Sequence, residues 1–239
     1  MTDVSTYLEQ PAPPALAGRV VCTWRFRQGL SVAPVRVLPD GHIDLIWDGR
    51  SLFVAGPDTA AAMAHLTPGL TLTGLRLAPG AGASLLGLPL HELTDQRVAM
   101  SDLWGQRGAS LERVIGEGQD PAAAMLAWCA GQAGEPDGRM RQLFRFLARG
   151  EGVRVTELAA TLGYSERSLR RHCLDAFGYG PKTLDRILRL QRFLRLAPGH
   201  ASLTSAALAA GYADAPHLVR DSQQLTGLSP GELVAHHGR

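Results

Sequence analysis

Three arginines within five residues, Arg167, Arg170 and Arg171, are the side chains whose type and spacing point most clearly to chemistry. A guanidinium can donate two hydrogen bonds to O6 and N7 of guanine, a contact worth about 1–3 kcal/mol of discrimination between bases. With Ser165 as N-cap, a helix begins just after it and puts Leu169, Cys173 and Phe177 at four-residue spacing on one face, the core face. The arginines then lie on the other side, open to a groove; Arg171 is the first choice for base contact, then Arg167 and Arg170. Contact with phosphates, or a merely solvated helix, is the competing reading for each. Ser168 and Lys182, the only lysine in the chain, join the candidate DNA contacts.

A second set lies far upstream. His42 and Asp44 alternate along an expected strand and so face the same side. Arg36, Trp47 and Arg76 complete a candidate ligand-binding set, with His65 and His91 able to approach if the strands curl into a barrel. A metal-dependent enzyme would need a tight group of histidines and a carboxylate, for example His-x-His on one strand, and the sequence has none. His236-His237 sits in an expected tail. No GxSxG elbow, phosphate-binding glycine loop or HExxH helix occurs, and Gly80-Ala81-Gly82 lacks the third glycine of a nucleotide fingerprint. No catalytic residue, metal or cofactor is therefore assigned. A pocket for a small effector and a domain that only dimerises are both left open.

The elements that must hold these residues fall into two stretches. The expected strands are Arg19–Phe26, Val35–Leu38, Ile43–Trp47, Leu52–Ala55 and Leu70–Leu77, separated by Pro and Gly turns. Helices follow: one capped by Ser110, one opened by Asp120-Pro121. The stretch Gly131 to Gly138 reads as a linker. Beyond it the chain is helical and repeats itself. Gly178-Tyr179-Gly180-Pro181 returns as Gly227-Leu228-Ser229-Pro230, 49 residues on, and Gly163-Tyr164 returns as Gly211-Tyr212, 48 on. One residue is thus inserted at the turn of the second copy. In each copy a threonine (Thr156, Thr204) is expected to cap a short helix that Gly-Tyr ends, and a second cap (Ser165, Asp214) starts another. Helix, glycine turn, helix is the pattern whose second helix enters the major groove.

Charge follows the same division. Residues 1–138 hold nine Arg against fourteen Asp and Glu, a balance of −5, and residues 139–239 hold fifteen Lys and Arg against eight, a balance of +7. That basic half is the footprint of a nucleic-acid partner, or of a solvated face with none. Overall, 45% hydrophobic and 19% charged residues exclude a disordered chain. Three distant cysteines, Cys22, Cys129 and Cys173, exclude a disulfide framework and suit the cytoplasm. Neither a signal peptide nor a membrane span is expected.

The segments VTELAATLGYSERSLRRHCLDAFGYGP, TLDRILRLQRFLRL and LTSAALAAGYADAPHLVRDSQQLTGLSP together resemble the AraC/XylS family of bacterial regulators, over roughly residues 139–237. The resemblance implies two helix-turn-helix units joined by one long helix, reading successive major-groove segments. It points to the arginine positions of the first unit as base-reading. The second unit departs from the pattern. Pro216 and Val219 stand where Arg167 and Arg170 stand in the first, leaving His217 and Arg220 as polar contacts, and Ser222 replaces a residue that is usually large and apolar. The joining helix carries Arg186, Arg189, Arg192 and Arg195, of which one or two could reach phosphates while Asp185 pairs with Arg189. LPDGHIDLIWD, LFVAGPDT and LTGLRLAPGAGASLLGLPLHEL resemble the β-rich regulatory domain often found ahead of this module, implying a cupin-like barrel, closed or incomplete.

The expected architecture is α+β: a β-rich, cupin-like N-terminal regulatory domain, 1–130, and an all-α double helix-turn-helix domain, 139–239. The expected function is sequence-specific binding of double-stranded DNA to control transcription, leaning to activation, under a small-molecule effector or dimerisation. RNA polymerase and a second copy of the chain are candidate partners. The alternative is a cupin-like binding protein or enzyme with an accessory DNA-binding domain.

Overall fold

A computed structural model describes residues 4–150 and 155–237. Its strands are β1 (Thr6–Pro11), β2 (Val20–Arg27), β3 (Val35–Val37), β4 (Asp44–Trp47), β5 (Leu52–Ala55), β6 (Ala62–Ala64), β7 (Thr71–Leu77) and β8 (Arg97–Ala99). Six of them form one antiparallel sheet in the order β1-β2-β7-β4-β5-β8, while β3 and β6 pair separately. The two sheets are open. The cupin-like expectation therefore holds in its incomplete form, because β1 and β8 end the large sheet as free edges rather than closing on each other.

The period-two alternation of the strands gives the large sheet two different faces. Leu45 pairs with Leu75 and Val54, and all three are buried. They meet Leu85 and Leu86 of α1 (Gly82–Leu86), Met100 of α2 (Met100–Trp104), Ile115 of α3 (Gln106–Gly116) and Met125 and Cys129 of α4 (Pro121–Gly131) in one apolar core. Asp44, Ile46, Phe53 and Arg76 point the other way, toward the β3–β6 pair. Asp120 caps α4 as expected, accepting from the Ala123 amide with Pro121 at the first helical position. Ser110 is not a cap: α3 begins four residues earlier, behind Gly105.

The helical part comprises α5 (Gly138–Arg149), α6 (Val155–Thr161), α7 (Glu166–Phe177), α8 (Pro181–Leu196), α9 (Leu203–Ala209), α10 (Ala215–Thr226) and α11 (Pro230–His237). Its core is centred on α8, whose Leu184, Ile187, Leu188, Leu190, Phe193 and Leu194 are all buried. The duplication appears as α6–α7 and α9–α10. Four residues separate the first pair and five the second, which is the inserted residue. Gly163 and Gly211 take φ of +74° and +89° at these turns, values that a residue with a Cβ adopts at a cost. Two expected caps are corrected. Ser202, not Thr204, caps α9 through a reciprocal box with Ser205, because its side chain reaches the third amide of the helix. Thr156 lies inside α6, and residues 151–154 are outside the described range. The His236-His237 pair belongs to α11 rather than to a tail.

Candidate nucleic-acid interface and effector cavity

Helix α7 forms where expected because Ser165 accepts from the Ser168 amide at 3.2 Å and Gly178, at φ +80°, ends the helix. Leu169, Cys173 and Phe177 are buried and anchor it. Arg167, Arg170 and Arg171 are exposed, and at spacings of three and four they share one surface. None of the three has an ion-pair or hydrogen-bond partner among the described residues, so their donors are uncommitted. Lys182, exposed in the first turn of α8, is equally unengaged, and Ser168 is half-buried beside its cap.

Helix α10 presents less. Asp214 caps it by accepting from the His217 amide at 2.7 Å, and Pro216 is accommodated in the first turn. Arg220 is exposed and has no ion-pair or hydrogen-bond partner among the described residues. His217 is half-buried and engaged: its Nε2 lies 3.1 Å from Arg189 Nη1 and 3.6 Å from Asp221. That contact belongs to a network between α8 and α10 that the sequence reading missed. Arg186 Nε donates to the buried Asp221 at 2.9 Å, and Arg189 also pairs with Asp185, as expected. The signal was a carboxylate, Asp221, three residues after Leu218 and four before Leu225, on the inward face of the helix. Ser222 is buried too and donates to the Leu228 carbonyl at 2.7 Å, so a hydrogen bond stands where bulk was expected.

The arginines of the joining helix have different fates. Arg192 is buried and cannot reach a phosphate. It donates to the carbonyls of Leu147, Ala148 and Ala210, at the ends of α5 and α9. Those are helix C-termini, where unpaired carbonyls favour a cation. Arg195 remains exposed.

Between the two sheets of the N-terminal part lies a cavity of about 880 Å³. His42, Asp44 and Arg76, from the expected ligand set, line it. Trp47 and Arg36 do not, for the same reason of alternation: Trp47 points to the helical core with Leu45, and Arg36 faces away from the cavity. Its aromatic wall includes Trp24, which the sequence reading missed. Gly74 makes room for this indole, since a Cβ there would lie 2.0 Å from the ring, and Trp24 Nε1 then donates to Asp44 at 2.8 Å. Arg76 sits 3.2 Å from Asp40 and 3.4 Å from Asp44. Burial pushes both carboxyls up. His42 and Arg76 outweigh it at Asp40 and hold that group well below the usual carboxylate range, whereas at Asp44 burial prevails. Asp44 and Asp40 in turn more than offset the burial of Arg76 and keep it charged. Burial raises the thiols of Cys129 and Cys173 to about 12, which leaves them unreactive. No group of three or more His, Cys, Asp or Glu among the described residues is arranged to hold a metal ion, and no helix there is long and apolar enough to cross a membrane.

The cavity wall also touches the second helix-turn-helix unit. Arg36 donates to the carbonyl of Thr226 at 2.6 Å, and the Ala61 amide donates to that of Leu225 at 2.7 Å. Thr94 meets the end of α7, donating to the Gly178 carbonyl at 3.0 Å.

Residues 158–236 match the family described as "Helix-turn-helix domain", and residues 8–99 match a "Domain of unknown function (DUF6597)". The first match spans α6 to α11, both copies of the unit and the helix between them. The chain carries an AraC-type helix-turn-helix domain. With that AraC-type domain it is a DNA-binding transcriptional regulator. No curated protein matches the chain. Among solved structures it is similar to ToxT from Vibrio cholerae, at 12% identity over 98% of both chains with a TM-score of 0.44. ToxT bound to (E)-4-(8-methylnaphthalen-1-yl)but-3-enoic acid is similar at 11% identity, again over 98% of both, with a TM-score of 0.46. Ahead of the AraC-type domain stands a β-rich domain, residues 6–99, built from open sheets.

Proposed function

We propose that the two functional units are residues 1–130 and 139–239, that the second reads its operator mainly through α7, and that the first is a non-enzymatic effector domain. The carrying observation is the exposed, uncommitted set Arg167, Arg170 and Arg171 on α7, with Lys182 beside it. On α10 only Arg220 is comparably free, since His217 is held by Arg189 and Asp221. The first unit then supplies most base discrimination and the second mainly positions the protein on phosphates. The protein acts in the bacterial cytoplasm, most simply as an activator that contacts RNA polymerase, alone or as a dimer.

Control by a small molecule follows from the cavity. A ligand that moves the β3–β6 pair would move Arg36 and Ala61, which hold the last turn of α10. The effector would thereby bias how the second recognition helix is presented.

The test is binding to the chain's own promoter across a salt series, with base substitutions placed under each recognition helix. Affinity should fall steeply with salt as phosphate contacts release counterions. Substitutions under α7 should cost about 1–3 kcal/mol each, and those under α10 less. Equal losses under both helices would contradict the division of labour.

A further inference from the structure

The walls of the cavity carry an unbalanced charge. Five aspartates line it and only two arginines. Arg97 is taken by Asp58 through two hydrogen bonds of 2.8 Å. Asp95 is occupied by the amide and hydroxyl of Thr59, and Asp48 by the turn amides of Arg50 and Ser51. What remains is Arg76, the one guanidinium facing both Asp40 and Asp44, with Glu9 a third carboxylate at 4.0 Å.

An anionic ligand finds no lysine and no free arginine among the described lining residues; the other groups there that can carry positive charge are the imidazoles of His42, beside Asp40, and His65. Both lining arginines are committed, Arg36 is turned out to Thr226, and no lysine precedes Lys182. A cation finds the opposite: surplus carboxylate at one end, and aromatic faces whose negative quadrupole favours positive charge. Next to Asp44, the cavity face continues with Trp24, Ile46, Phe53 and then Phe26 and Leu72, an apolar floor laid down row by row across β2, β7, β4 and β5. The volume suits a small organic molecule.

We propose that this cavity takes an organic cation, a protonated amine on an apolar body, with its nitrogen at Asp44 and Asp40 and its body along Trp24, Ile46 and Phe26. The proposal rests on the reading of the cavity as the effector site. The ligand's positive charge adds to Arg76 at the buried Asp44, and low-dielectric walls strengthen that attraction relative to water.

The experiment is thermal unfolding of the full chain with 4-phenylbutylamine and with 4-phenylbutyrate, two probes of one skeleton and opposite charge. The amine should raise Tm in proportion to the logarithm of its concentration, and the carboxylate should not. Asp44→Asn should weaken amine binding about tenfold or more. Ala62→Phe, which fills the cavity without changing charge, should abolish it and covers the case in which Asp44→Asn does not fold. Stabilisation by the carboxylate equal to that by the amine overturns the ligand class but keeps the cavity as a binding site. No shift with either probe overturns both the class and the cavity's effector role, while promoter binding by the same sample stands on its own.

Discussion

Asp40 and Asp44 share one guanidinium yet are pushed in opposite directions, and the difference lies in their other neighbours. Asp40 has the His42 imidazole beside it and accepts from the His42 amide at 2.9 Å, while at Asp44 burial and the neighbouring Asp40 charge outweigh Arg76 and the Trp24 indole. A carboxyl depressed in the folded state contributes stability that is fully present above its ordinary value, near 4, and lost as pH falls below it. Asp44, raised by burial, works in the opposite sense, and its contribution is lost as pH rises. Asp40→Asn should therefore lower Tm at neutral pH, and the gap to wild type should close as pH falls below about 4. Thermal unfolding between neutrality and strong acid measures it; a constant gap would show that Asp40 acts by shape and not by charge. At this scale the sequence was half legible. His42 and Asp44 could be placed on one side from alternation alone, and Arg76 only as one of several residues able to approach them. Trp24 could not, because its place depends on Gly74 in a strand 50 residues away.

Among elements, α8 decides most. It is the helix on which both units pack, and its buried Arg192 binds the ends of α5 and α9 by three donated hydrogen bonds. Read along the sequence, Arg192 belongs to a regular stripe of arginines. Only the packing of α5 and α9 over it shows that it turns inward. Hydrogen bonds from a charged group are worth about 1.5–3 kcal/mol each at most, and carbonyls left unpaired add to the loss. Arg192→Ala should cost roughly 3 kcal/mol, or about 6–12 °C in Tm for a chain of this size. A change within error would remove the argument. The repeat itself was readable, down to the extra residue before α10, because caps and glycine turns are local signals. β1, β6 and β8 were not: β1 is exposed along its whole length, and β6 and β8 are three-residue strands that take their register from β3 and β5 further back in the chain.

At the scale of the whole molecule, the ends of α7 and α10 are held by the β-rich domain, through Thr94 at α7 and through Arg36 and Ala61 at α10. Contacts between residues 190 apart leave no trace in a single sequence. They give the cavity a physical route to the two helices proposed to meet DNA. Arg36→Ala should speed amide hydrogen exchange at the C-terminal turn of α10 while leaving α7 unchanged, and unaltered exchange would show that the contact carries no coupling.

The central claim is that base reading resides in the free arginines of α7. Its most direct measurement compares wild type and Arg171→Ala on the chain's own promoter and on random duplex at one salt concentration. The account predicts that the variant keeps most of its affinity for random DNA and loses about 1–3 kcal/mol of preference for the promoter. Equal weakening on both duplexes would make Arg171 a phosphate contact, and an unchanged preference would contradict the assignment of α7 as the reading helix.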